Sequence, residues 1–500
     1  MIKVLSVDNM RRSDAFTIAN YTASKELMFR AGKGVFESVN WKAPVAIVCG
    51  SGNNAGDGYV IANLLKESNI SCEIILLSEK FSEDGSYYYA ICKEKGIPAK
   101  IWDPTIDLSK FATIVDCIFG TGFKGIVRGC ARELIELINS SGAYVVSVDI
   151  NSGLNGDNGI AELCVHSDIT VSIGGFKTGH VLNMAKDVMK EKVNCDIGIE
   201  PVDKTYCLIE AEDIKEIFQK RHNYSDKSSF GYVALIGGSR KYTGAVRLAE
   251  MANAAMRSGS GVVKLAIPSA LYPIIAPGVL ESTLFPLSDN GEEIVLYEKE
   301  VSELISNVKT AAFGMGVGTS DGASQVLEYL LEHFNGKLIV DADGLTLLSK
   351  VGKDRIDHSK CSLVLTPHMK EFSKLTGRKI DDILNNPIVA AEEFAKQNHV
   401  VLLLKGTSTI ITDGDRTYLV DAGCAGMATA GSGDVLAGIL SAVLAYSSDV
   451  LLGTAAAAYI NGKAGKLAQE RRGSVSMVAS DTVACVQRIV SMLEGVKYSE

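Results

Sequence analysis

One pattern constrains this chain more than any other: a short apolar run, a glycine-rich or polar turn, then residues at helical spacing, repeated. In the first part of the chain the runs are PVAIVC (44–49), CEIILLS (72–78), ATIVDCIFG (112–120), YVVSVD (144–149) and DITVSIGG (168–175). They have the length of strands and are nearly continuous rather than alternating, as strands buried on both faces are. Stretches 57–69, 84–96 and 129–140 lie between them and read as helices. Alternation of this kind predicts an α/β fold, a parallel sheet with helices on both sides. Residues 10–39 contain no proline and place Met28, Ala31, Val35 and Val39 at helical spacing, so helix precedes the first of these strands.

The pattern then restarts. GYVALIGGS (231–239), VVKLAIP (262–268), AAFGMG (311–316), KLIVDAD (337–343), LVLTPH (363–368) and VVLLLKG (400–406) read as strands. Helices are expected at AVRLAEMANAAMRSG (245–259), after GSGD (431–434) and over about 454–469. The polar stretch 203–229 separates the halves, so the junction is expected near 210–225, with domains at 1–212 and 220–500. A chain of 500 residues exceeds one hydrophobic core, which fits two domains.

Composition narrows the function. Glycine numbers 48 of 500 against 10 prolines, which suggests tight loops approaching phosphates rather than a flexible linker. The net charge is −9 and no Lys/Arg run is present, so nucleic acid is not the expected partner. The 11 cysteines include no C-x-x-C pair, which argues against zinc or thioredoxin chemistry and for reduced thiols in a cytoplasmic protein. Neither a secretory leader nor a membrane span is expected from the apolar runs.

Polar residues cluster where strands end. Gly50-Ser-Gly-Asn-Asn-Ala-Gly-Asp-Gly58 follows one strand and opens a helix. Its glycines suit close approach to a phosphate at a helix N-terminus, and equally a tightly packed turn. Asn54 offers an amide oxygen to a hard cation, and Asp57 suits the helix start. Asp116 and Gly120-Thr-Gly-Phe-Lys-Gly125 end a second strand, and Asp149 with Asn151-Ser152 ends a third. Ligands of open α/β sheets bind at such ends.

SGNNAGDGYV, VDCIFGTGFKG and VDINSGL resemble the YjeF N-terminal domain family, the NAD(P)H-hydrate epimerases. The resemblance implies a Rossmann-like three-layer domain that interconverts the R and S epimers of hydrated NAD(P)H, NAD(P)HX, at C6. It implies a potassium site at Asn54, Asp116 and Ser152. It implies substrate contacts at Asn53, Asn54, Ala55, Gly56, Asp57, Gly120, Thr121, Gly122, Phe123, Lys124, Gly125, Ile126 and Asp149. Asp149 is the candidate acid–base catalyst, and Lys124 a second catalytic candidate that would place a phosphate or the amide. Phe29, Ala55 and Asn151 depart from the family's LMExAG, NNGGD and VDIPSGL.

In the second half the densest signal is Gly423-Cys-Ala-Gly-Met-Ala-Thr-Ala-Gly431-Ser-Gly433-Asp434 running into an apolar helix. Amides at that helix start suit a transferring phosphoryl group, and Asp434 an attacking hydroxyl; a simple helix-start acid has the same pattern. His368 and Glu371 stand three apart in LTPHMKE, and Lys405-Gly-Thr-Ser-Thr409 is a turn between strands.

FGYVALIGGS, YTGAVRLA, SGSGVV, GMGVG, DADGL, LTPHMKEFSKLTG, KGTST and GMATAGSGDVLAG are together similar to ribokinase-like NAD(P)H-hydrate dehydratases. This implies a second three-layer domain that dehydrates S-NAD(P)HX to NAD(P)H. Gly261, Gly318, His368 and Asp434 would face the hydrate, with Asp434 catalytic. Lys405, Gly406, Thr407, Ser408, Thr409, Met427, Ala428, Thr429, Ala430, Gly431, Ser432 and Gly433 would face the nucleotide. Magnesium would clamp the phosphates, through water near Glu371, and ADP is the expected phosphoryl donor ahead of ATP. A homo-oligomer is expected by the same resemblance. The alternative is a hydroxymethylpyrimidine- or thiazole-type kinase fused to a non-catalytic nucleotide-binding scaffold.

Overall fold

The computed structural model of the protein describes residues 1–218, 220–254, 257–351 and 353–496. The chain divides into two compact units, one of Lys3–Tyr206 and one of Cys207–Glu500 together with Met1–Ile2. The break falls earlier than the expected 210–225. Cys207 and Leu208, near the start of the polar stretch, already pair with Tyr418 and Leu419, so backbone pairing assigns the chain to the larger unit there.

The smaller unit carries β1 (Ile2–Leu5), β2 (Val45–Cys49), β3 (Cys72–Leu76), β4 (Ala99–Ile101), β5 (Thr113–Cys117), β6 (Tyr144–Val148), β7 (Ser167–Ile173), β8 (Phe176–Lys177) and β9 (Met189–Cys195). Seven of these form a parallel sheet in the order β4-β3-β2-β5-β6-β7-β9. Alternate residues explain the three layers. Val45, Ile47 and Cys49 enter one core, with Val115, Cys117 and Val148, while Ala46 and Val48 enter the other, with Ile114 and Ile135. Both faces are covered, which is why the sequence runs are continuous rather than alternating. From β2 the chain goes to β3 on one side, and β5 lies on the other, so the loops after β2 and β5 diverge and leave a crevice between them.

The stretch 10–39 is two helices, Val7–Asn20 and Ser24–Ser38, rather than one. The amides of Tyr21 and Thr22 both turn onto the Thr17 carbonyl, at 2.9 and 3.1 Å, which closes the first helix without glycine or proline. β1 pairs in parallel with β8 and sets Leu5 opposite Lys177.

The larger unit contains β10 (Tyr206–Leu208), β11 (Tyr232–Ile236), β12 (Val262–Pro268), β13 (Thr283–Leu287), β14 (Thr310–Phe313), β15 (Lys337–Val340), β16 (Ser362–Leu365), β17 (Val401–Leu404), β18 (Thr409–Thr412) and β19 (Thr417–Val420). Their order is β13-β12-β11-β14-β15-β16-β17-β18-β19-β10. Pairing is parallel from β13 to β17 and antiparallel through β18. Its core includes Val233, Leu235, Val263, Leu265, Ile339, Val364 and Leu403 from the strands. Helices Ser432–Tyr446 and Val450–Arg472 pack on that core through alanines and Val435, Ile439, Leu440 and Ile460. The helix expected at 245–259 spans Thr243–Ala254, and Ala255 and Met256 lie outside the described residues.

Candidate active site

A cleft of about 570 Å³ opens at the carboxyl ends of β2, β5 and β6, the position the strand order dictates. Asn53, Asn54, Asp57, Gly120, Thr121, Gly122, Phe123 and Asp149 line it. Ala55 and Gly56 do not. They lie beneath, in the first turn of helix Asn53–Glu67, where a Cβ on Gly56 would stand 2.5 Å from Met28 Sδ. Lys124, Gly125 and Ile126 are exposed and outside the cleft wall. Phe29 is also off the wall, so the departure at that position does not alter the cleft.

The cation facing Asp149 is Lys177, which the sequence reading missed. Its side chain is 1% exposed, and Nζ donates to Asp149 Oδ1 and to the Ile173 carbonyl (2.7 Å). Asp149 has φ of 65°, a left-handed conformation costly for a non-glycine residue, and His180 Nε2 lies 2.6 Å from its carbonyl. Burial alone would raise the Asp149 carboxyl, but the Lys177 charge and hydrogen bond outweigh it and hold the group below its ordinary value. His180 is pushed down to about 4 by burial and by Lys177.

Asp57 and Asp14 behave in the opposite way. Burial, then the charges of Asp149 and Asp14, push Asp57 well above the carboxylate range. Asp14 is raised chiefly by burial. The cleft therefore holds two carboxyl groups whose proton affinities are driven apart by their surroundings, Asp149 downward and Asp57 upward.

Behind the cleft, Asp116 is fully buried. Ser152 Oγ donates to Asp116 Oδ1, and the Ser152 amide and Ser147 Oγ each reach Oδ2 at 2.9 Å. Desolvation raises this carboxyl despite those bonds. Asn54 Nδ2 donates to the Phe119 carbonyl at 3.0 Å, while Asn54 Oδ1 is buried without a partner. A buried carboxylate beside an orphaned amide oxygen and a serine hydroxyl is a donor set that suits a hard monovalent cation. Asn151 is accommodated by its own network. It donates to Val165 O and Val188 O at 2.8 and 3.0 Å and accepts from Thr170 Oγ1 at 2.6 Å.

In the larger unit, Asp434 lies in the first turn of helix Ser432–Tyr446, after Gly431 at φ 92°. That left-handed backbone is what calls for glycine in this turn; a Cβ there would also meet Leu248 Cδ1 at 2.5 Å, the mobile end of a leucine. Lys405, at the end of β17, pairs with Asp341, at the end of β15, at 2.8 Å. Thr366 Oγ1 donates to the same oxygen at 2.8 Å. Asp341 Oδ2 and Lys405 Nζ lie 3.4 and 3.5 Å from where a Cβ on Gly433 would stand, so both face the glycine turn. Burial first, then Asp341, lifts Asp434 to about 7 against the opposing pull of Lys405. Ser432 Oγ is buried without a partner and can meet an anion there.

Gly318 joins this cluster by donating its amide to Asp343 Oδ2 at 3.0 Å. His368 bridges in parallel to Lys405 and caps helix Met369–Thr376. Its Nδ1 accepts the Lys370 and Glu371 amides at 3.1 and 3.2 Å, and Glu371 Oε2 returns to the His368 amide at 2.8 Å. Ser408 Oγ is engaged by Asp421 at 2.6 Å, and Met427 packs on Gly465. Gly406 and Thr407 fall in the same β17–β18 turn, Thr409 opens β18, and Ala428, Thr429 and Ala430 lead into Gly431.

Gly261 does not belong to this cluster. It immediately precedes Val262, whose partner is Tyr232 at the start of β11, and its amide donates to Gly231 O at 3.2 Å. Seven strand residues, roughly 20 Å, separate it from the carboxyl ends. A Cβ there would stand 1.8 Å from the Lys227 carbonyl, so close packing explains this glycine.

Two family profiles match the chain: NAD(P)H-hydrate dehydratase over residues 233–488 and YjeF-related protein N-terminus over 24–179. The bifunctional NAD(P)H-hydrate repair enzyme Nnr of Archaeoglobus fulgidus is 34% identical over 469 residues, covering 93% of each chain. The Escherichia coli K12 protein of the same name is 29% identical over 487 residues, covering 93% of this chain and 89% of that one. The larger unit's fold is that of the ADP/ATP-dependent NAD(P)H-hydrate dehydratase of Bacillus subtilis, crystallised with ATP and Mg2+. The TM-score is 0.51 at 24% identity, over 58% of this chain and 99% of that one. The chain belongs to the family of bifunctional NAD(P)H-hydrate repair enzymes.

Proposed function

We propose that the smaller unit interconverts the R and S epimers of NAD(P)HX and that the larger unit dehydrates the S epimer at the expense of ADP. The observation that carries this reading is the contrast between carboxyl groups at the strand ends: Asp149 paired with buried Lys177 and held below its ordinary value, Asp57 buried and pushed above it, and Asp434 raised to about 7.

In epimerisation, Asp57 protonates the C6 hydroxyl, which leaves as water as the ring nitrogen lone pair forms the iminium. Water returns to the opposite face, and Asp149 takes its proton. Lys177 keeps Asp149 ionised for that step and fixes its orientation. Asn54, Asp116 and Ser152 suit potassium, whose charge would balance the buried Asp116 and fix the loops after β2 and β5.

In dehydration, Asp434 takes the proton of the C6 hydroxyl as that oxygen attacks the terminal phosphorus of the nucleotide. The phosphate ester then departs as inorganic phosphate, and loss of a C5 proton restores the dihydropyridine. Lys405, the amides of 431–433 and Ser432 Oγ receive the phosphoryl charge. Glu371 is engaged in capping, and the described residues hold no cluster of three or more His, Cys, Asp or Glu fit for a metal. Magnesium would therefore be held mainly by the nucleotide's phosphates and by water.

We place this chemistry in the cytoplasm and in a homo-oligomer. No cysteine is in a disulfide, and among the described residues no helix is long and apolar enough to cross a membrane. Purified R-hydrate supplied without nucleotide tests the first activity: S-hydrate should accumulate, and its absence would overturn the epimerase assignment. Purified S-hydrate with ADP tests the second. NAD(P)H should appear with phosphate and AMP, whereas a stable phosphorylated product would favour a small-molecule kinase.

A further inference from the structure

We infer that Arg11, on helix Val7–Asn20, is the anchor for the pyrophosphate of the hydrated dinucleotide in the smaller unit. The inference rests on the epimerase reading of that cleft. Arg11, Asp14 and Ile18 share one stripe of the helix, and all three line the cleft. The helix is fixed in place: the Val7 amide donates to Asp157 Oδ1 at 2.8 Å, and Asn9 Nδ2 donates to the Lys204 carbonyl at 3.0 Å.

Charge accounting singles out this arginine. Asp14, Asp57, Asp84 and Asp149 stand on the wall, and among the described residues the cations there are Arg11 and Lys177. Lys177 is buried and committed to Asp149. Among the described residues no carboxylate pairs with Arg11, whereas its neighbour Arg12 is held by Asp8 and Asp203 at 3.1 and 2.8 Å. Arg11 Nη2 lies 3.4 Å from where a Cβ on Gly122 would stand, so the guanidinium sits over the glycine loop after β5. A dinucleotide brings two negative charges to an otherwise acidic cleft, and a planar guanidinium over the glycine loop is suited to receive them. The helix lies outside residues 24–179, the stretch matched by the family profile.

The test compares R-NADHX with hydrated dihydronicotinamide riboside, which has the reacting ring and no phosphate, in the full-length chain. For Arg11→Gln, kcat/KM on the dinucleotide should fall roughly tenfold to a hundredfold through KM, with kcat retained and the riboside unaffected. Arg11→Lys should recover part of the loss, and Arg12→Gln should match wild type. An unchanged KM for the dinucleotide, a loss carried by kcat, or an equal loss on both substrates would overturn the inference. Wild-type protein inert toward both hydrates would sink the epimerase reading itself, whereas active wild type with an unaffected Arg11→Gln would sink only the role of Arg11.

Discussion

Replacing Asp341 by Asn removes one negative charge from beside Asp434 and leaves the side chain's volume unchanged. Asp434 must be deprotonated to accept the hydroxyl proton, so kcat/KM for dehydration should be flat above about 7 and fall tenfold per pH unit below it. Burial is the first cause of the raised value and persists in the variant. Asp341 is the second. A charge close to a carboxyl shifts it by about one to three pH units, each worth about 1.4 kcal/mol. Lys405 shares the charge of Asp341 through its ion pair, so the expected shift is between one and two units downward. The assay is recovery of the NADH absorbance from purified S-NADHX at saturating ADP between pH 5 and 9, with Asp434→Asn as the inactive reference. A midpoint that stays near 7 or rises in folded Asp341→Asn would refute the argument that Asp341 sets the proton affinity of Asp434.

Other outcomes follow from the same geometry. Asp149→Asn should lower R-to-S conversion by about 10²–10⁴ while dehydration of purified S-hydrate proceeds, and equal loss of both activities would count against separate sites. Exchanging K+ for Li+ should slow epimerisation in wild type, and Ser152→Ala should make the rate indifferent to the cation; a rate unresponsive to K+ in wild type would remove the cation site. Gly261→Ala should lower stability by about 1–3 kcal/mol in denaturant melts, because its methyl meets the Lys227 carbonyl, and leave kcat/KM for dehydration intact. A specific loss of hydrate affinity in that variant would return Gly261 to the substrate site.

The parallel strands were legible in the sequence because strands buried on both faces leave an unmistakable apolar run, as at Val45–Cys49 and Val262–Pro268. Edge strands were not. All three residues of Ala99–Ile101 are exposed, and nothing in their order distinguishes them from a loop. The break at Tyr21–Ala23 is made by amides converging on one carbonyl, which leaves no sequence mark. The glycine and asparagine loops pointed to the cleft because loop chemistry is local in sequence. Lys177 and Asp14 escaped because what defines them is burial among distant carboxylates. Lys177 meets Asp149 across 28 residues and is aligned by β1, from the far end of the unit. Lys124 had the opposite character: a lysine within a glycine motif that the fold leaves on the surface. Gly261 shows the same limit, since a glycine needed for close packing and one needed for a ligand look identical in one dimension.

The measurement closest to the central claim is total NADH recovered when an equilibrated mixture of R- and S-NADHX is incubated with the wild-type chain, ADP, Mg2+ and K+. Two activities in one chain predict recovery of the whole mixture, with the R fraction passing through S. Recovery that stops at the S fraction, or no recovery with either ADP or ATP, would contradict the account.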